Sequence, residues 1–225
     1  IKNTDSTVIE NFLGISLDDD YSPKEMITAL ELIMPKLEEL YNTRVRHYVV
    51  KKHTLLVCEQ FEKYAFAFDN KCMNMDLMRL VLAIHDIGKA IDRSTQHEHT
   101  LSLVRELWEN TPFTEHEFNL VEVLLRDDHL GLYFQNKYKL SDLKEEIVAN
   151  ATELKMSPSI LLQYKMILYQ CDIASYTKDV GGLKYLEHMF VYENGEKAFD
   201  EENGIIAMSE EYADRYVNLK ESINE

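Results

Sequence analysis

Ala83-Ile84-His85-Asp86-Ile87-Gly88-Lys89 holds the densest chemistry in this sequence. An apolar run, Leu80–Ile84, ends in an adjacent imidazole and carboxylate, followed by a glycine and a lysine. Burying a His and an Asp at the end of an apolar helix is costly unless something pairs with them. A metal ion is the simplest common partner. Successive helical side chains diverge by about 100°. Both groups can still reach one ion that sits beside the end of the helix. Gly88 then fits the stop of that helix.

Other polar residues on apolar helical segments extend the set. His53 precedes Leu55, Leu56 and Val57, whereas His47 lacks such a following run. Asp172 lies within Leu168-Tyr169-Gln170-Cys171-Asp172-Ile173-Ala174. Two imidazoles and two carboxylates suit Mn, Fe, Co, Ni or Zn and, less well, Mg. Lys89 can supply a positive point charge. Arg44 and Arg46 precede His53 and can clamp an anion.

The elements that must carry these groups are helices. The chain has 225 residues with only 7 Gly and 4 Pro, few breakers for its length. Ser22-Pro23-Lys24-Glu25 reads as a helix start, with Ser22 as N-cap and Glu25 closing a capping box. Ile27, Leu30, Leu32, Ile33, Leu37 and Leu40 then follow a helical period. A second helix is predicted over about 44–66, burying Val49, Val50, Leu55, Leu56, Cys58 and Phe61. After a break at Asp69-Asn70-Lys71, a third over 74–87 should be central, because it is apolar almost all round. Further helices are expected from Ser94, from the capping box Thr114–Glu117, near 141–154, over 158–177, and from Ser209. Met189–Tyr192, Glu193-Asn194-Gly195-Glu196 and Gly204–Ala207 predict a short hairpin. This gives an all-α chain: a lead-in at 1–20, a helical domain at 21–188, and a hairpin and helix appendage at 189–225.

His53, the His85-Asp86 doublet and Asp172, in that order, resemble the HD-domain superfamily of metal-dependent phosphohydrolases. His85-Asp86-Ile87-Gly88-Lys89 resembles its central motif, His53-Thr54-Leu55-Leu56-Val57 its first, and Asp172-Ile173-Ala174-Ser175 its last. The resemblance covers roughly residues 45–178. It implies an HD-type helical bundle with a divalent metal held by His53, His85, Asp86 and Asp172. It also implies hydrolysis of a phosphate ester by a water that the metal acidifies. Family members often carry a lysine or a glutamate at the position of Lys89, and with Lys rather than Glu here a carboxylate-base role is ruled out. Asp86 and Asp172 remain equal candidates as proton acceptor. A second-metal arrangement would use His97 or His99 with His129, but the further histidine expected near His129 is missing. One metal is therefore expected, with His129 or His97 as leaving-group acid or substrate contact, and Arg46 with Lys89 on the phosphate.

Charge and cysteines bound the partners. A net charge of −16 excludes an extended nucleic-acid surface and docking on anionic lipid. A small phosphorylated substrate such as a nucleotide stays compatible, since a local cation inverts the field in one pocket. Cys58, Cys72 and Cys171 have no CxxC spacing and fit a reducing cytoplasm. Two other readings follow from the same residues. One is a di-iron oxygenase of HD type, and the other is a non-catalytic ligand-binding or regulatory domain.

Overall fold

The computed structural model describes residues 21–68, 73–109, 111, 113–183 and 185–224. The expected lead-in at 1–20, the break at 69–71 and Cys72 lie outside these residues. Among the described residues the chain is all-α apart from short two-residue strands. It divides into two compact units. The described residues of the first lie within 21–59 and 74–126, those of the second within 60–73 and 127–224.

In the first unit, α1 (Pro23–Ile33) starts at the predicted N-cap: Ser22 accepts from the Glu25 amide at 3.2 Å, and Pro23 occupies the first turn. The helix does not run on to Leu40. Met34 leaves helical geometry and α2 (Lys36–Tyr41) restarts after Pro35, whose ring cannot continue the helix. Leu32 lies within α1, away from the face that carries Ile27 and Leu30, and is 78% exposed. Residues 44–49 are also not helical. They form a tight hairpin, β1 (Arg44–Val45) against β2 (Tyr48–Val49), with Arg46 at φ 52°.

The next helix, α3 (Val50–Phe68), begins only after that hairpin. Its buried side carries Val50, His53, Thr54, Val57, Cys58 and Phe61, spaced by three and four. Leu55 and Leu56 are half-buried rather than core residues. In α4 (Met75–Ile84), capped by Asn74, every residue from Leu80 to Ile84 is buried. A 3₁₀ turn (Ile87–Ala90) follows. Against that turn pack α5 (Gln96–Glu109), α2 and β1. The unit closes with α6 (Glu115–Leu125), whose capping box is reciprocal: Thr114 Oγ1 accepts from Glu117 N at 3.1 Å, and Glu117 Oε2 accepts from Thr114 N at 3.0 Å.

In the second unit, α9 (Pro158–Ala174) is the centre. It packs on α7 (His129–Phe134), α8 (Leu140–Glu153), β6 (Ile205–Ile206) and α10 (Glu210–Ile223). The tail forms β3 (Tyr192–Glu193) paired with β4 (Glu196–Lys197), and β5 (Phe199–Asp200) paired with β6. Asn194 and Gly195, at φ 53° and 80°, supply the left-handed pair that a tight hairpin needs. Gln170 ties α9 to β6 from both directions: Nε2 donates to the Ile206 carbonyl and Oε1 accepts from its amide, both at 2.9 Å. Residues 189–224 thus belong to the unit that holds 127–188. No helix among the described residues is long and apolar enough to cross a membrane.

Candidate metal centre

The end of α4 is built to turn two adjacent side chains toward one place. His85 keeps helical geometry as C-cap, but Asp86 takes φ −111° and ψ 3°. That break in the helical progression lets neighbouring residues face a common point. The last carbonyls of a helix have no partner within it. Here His85 Nδ1 bonds the Leu82 carbonyl at 2.6 Å, and the buried Tyr41 hydroxyl donates to the Ala83 carbonyl. A carbonyl only accepts, so Nδ1 carries the proton, and in the neutral ring the Nε2 lone pair is left for a ligand.

Both oxygens of Asp86 face imidazole nitrogens. His53 Nε2 lies 3.2 Å from Oδ2, and His85 Nε2 lies 3.7 Å from Oδ1. One ligand atom from each of the three residues lies within 4.8 Å of the others. All three side chains are at least nine-tenths buried. The two rings sit 5.7 Å apart, and Tyr48 from β2 lies against His53 at 4.8 Å. Lys89 Nζ reaches Asp86 Oδ2 at 2.7 Å. Burial alone would raise the Asp86 pKa. His85 when its ring is protonated, the Lys89 ammonium and the bond from His53 outweigh that and hold the carboxyl well below the usual range. Asp86 is thus an anion at any physiological pH.

Gly88 holds the turn in place, for a different reason from the one the sequence suggests. It does not end the helix in a left-handed conformation. It sits within the 3₁₀ turn, where a Cβ would lie 2.1 Å from the Gln96 carbonyl and 2.5 Å from Thr100 N. Its amide donates to the buried Thr100 Oγ1 at 2.9 Å. Close approach to α5 therefore demands glycine, and α5 in turn fixes Asp86 and Lys89.

Several other predicted residues lie elsewhere. Arg46 is exposed on the turn of the β1–β2 hairpin, with Arg44 exposed beside it, instead of on a helix one to two turns before His53. That hairpin strand packs on the turn bearing Lys89. His97 on α5 donates from Nδ1 to the Leu125 carbonyl at 3.0 Å, which ties α5 to the end of α6. His99, two residues on, adds to the charges that lower the Asp92 pKa, after the Ser94 hydrogen bonds.

In the second unit, Asp172 lies on α9, half-buried, and its backbone carbonyl accepts from Ser175 Oγ at 2.5 Å. His129 opens α7 in a separate His–carboxylate group with Asp127 and Glu146. Its Nδ1 donates to Glu146 Oε2 at 2.9 Å, and Tyr138 stacks on its ring at 4.4 Å while donating to the other Glu146 oxygen.

Sequence reasoning missed Tyr41, Tyr48 and Thr100. Their signal is faint, because each acts on a backbone carbonyl, a ring face or a backbone amide that only the fold brings near.

Fold and site together define an all-α chain with a buried two-histidine, one-carboxylate cluster at a helix end. Compared with family models, with curated proteins and with solved structures, the chain has no match in any of the three.

Proposed function

We propose that this protein is a divalent-metal-dependent phosphohydrolase of HD type, acting on a phosphate ester of a nucleotide or similar small molecule. The observation that carries the reading is the pair of buried imidazole Nε2 atoms set against the two oxygens of one carboxylate. His53, His85 and Asp86 would hold the ion, and the sequence pattern adds Asp172 as fourth ligand. The donors suit such an ion: a carboxylate kept ionised, and a His85 tautomer that leaves Nε2 as the lone-pair nitrogen. Mixed nitrogen and oxygen donors favour Mn, Fe, Co, Ni or Zn over Mg. When bound, a divalent ion supplies Lewis-acid activation of water and of a phosphoryl oxygen.

The chain's own groups do the rest. Lys89 offers an ammonium to a phosphate oxygen, as a positive charge in a partly water-excluded site. Gly88 and Thr100 hold its backbone so that only the flexible stem moves. Arg46, exposed on the hairpin beside that turn, gives a second cation for the substrate's anionic end. His129 remains a proposed leaving-group acid and His97 a proposed substrate contact.

A phosphate-release screen over nucleotides with Mn, Co, Ni, Zn and Mg tests the reading. Metal-dependent phosphate release that vanishes in Asp86→Asn is the expected result. A metal-replete protein that hydrolyses nothing across the panel favours a ligand-binding domain instead, and two irons per chain favour an oxygenase.

A further inference from the structure

We infer that Lys89 is a competing cation built into the metal site: its ammonium and a divalent ion contend for the Asp86 carboxylate. Loading the site then requires the ammonium to leave Asp86. This rests on the metal reading given above.

The geometry makes the contest unavoidable. Asp86 Oδ2 already accepts two donors, Lys89 Nζ at 2.7 Å and His53 Nε2 at 3.2 Å. His53 is itself one of the expected ligands, so the ammonium stands where ligand atoms converge. Both partners of the ion pair are largely buried, with side chains 14% and 7% exposed, so water screens the charges poorly. A dication on this carboxylate would lie within a few ångströms of the ammonium and repel it strongly.

The backbone around Lys89 cannot yield. Its amide donates to the Asp86 carbonyl at 3.0 Å, and the adjacent Gly88 is clamped on Thr100. The four-carbon stem can yield, because it is flexible and its ammonium is strongly hydrated once exposed. Displacement therefore delivers a mobile positive charge at the rim of the site whenever metal enters. The displaced ammonium is then free to take an anionic oxygen of the substrate. Metal loading and anion capture would be coupled through one side chain.

The test is direct titration of the metal-free protein with Mn²⁺ alone, by calorimetry, in wild type, Lys89→Met, Lys89→Arg and Asp86→Asn. Lys89→Met should bind Mn²⁺ about tenfold more tightly than wild type or better. Lys89→Arg, which keeps the charge, should stay near wild type, and Asp86→Asn should bind none. Lys89→Gln serves as the second neutral variant if thermal unfolding shows that Lys89→Met does not fold. Equal or weaker binding by the neutral variants, with wild type still binding, overturns the competition and leaves the metal reading standing. No Mn²⁺ binding by wild type or by either neutral variant sinks both.

Discussion

Each unit buries a lysine against an aspartate, and the two pairs have been put to different ends. In the second unit Lys197 is completely closed in. Its ammonium meets both oxygens of Asp179 at 2.9 and 2.8 Å and Gln60 Oε1 at 3.3 Å, between the rings of Phe190 and Tyr192. Its side chain is 1% exposed, and its own carbonyl accepts from Tyr64. Every donor direction is used inside the protein, which is what a clasp between the tail hairpin and the carboxy-terminal half of α3 requires. In the first unit Lys89 Nζ meets Asp86 Oδ2 at 2.7 Å, and the same carboxylate faces two imidazole nitrogens. A buried carboxylate shared among three basic groups is a poor clasp and a good ligand. Burial alone therefore does not mark a functional charge; the chemistry of what surrounds it does.

The His129 group sharpens the same contrast. It too combines a histidine with carboxylates, but its side chains are between a fifth and a third exposed, and Glu146 is satisfied by His129 and Tyr138. Its hydrogen bonds join the start of α7 to α8.

These differences can be broken experimentally. Lys197→Met should give the largest loss of stability, about 3 kcal/mol, because it leaves Asp179 without its cation; this is the low end for a broken buried pair, since Asp179 keeps some exposure. Chemical denaturation checks it, and metal affinity per folded chain should not change. Gly88→Ala should cost about 1–3 kcal/mol by overpacking against Gln96 and Thr100, and it should also weaken Mn²⁺ binding by shifting the Asp86–Lys89 turn. A stable Gly88→Ala with unchanged affinity would show that close approach does not set the site. Thr100→Val should cost about 1–2 kcal/mol, the penalty for a buried amide left without an acceptor.

The smallest effect concerns pH. A folded-state pKa held below its unfolded value contributes stability above the unfolded pKa, and that stability is lost as pH falls through the folded pKa. Asp86 should therefore stabilise the metal-free fold at neutral pH and give this up only under strong acid. Acid unfolding of Asp86→Asn should lack that component. Identical acid profiles would mean that the ion pair is not formed in solution.

The sequence carried the helical class, the Ser22 and Thr114 starts, the central apolar helix and the His85-Asp86 terminus, because each depends on residues within one turn of one another. Its limits appear where distant contacts decide. Pro35 splits what periodicity joins. Residues 44–49 contain no Gly or Pro to announce a turn, so the pattern predicts a helix for Arg46, which lies on a hairpin. Gly88 looked like a helix stop and is a contact site, since its reason lies on α5, a segment the local pattern does not see.

Metal content is the most direct test of the centre. Chains purified after growth with added divalent metals, then analysed by elemental mass spectrometry, should carry one divalent ion per wild-type chain, and Asp86→Asn and His85→Ala should carry almost none. A folded Asp86→Asn that retains a full equivalent, or a wild type that takes up none, would contradict the metal centre.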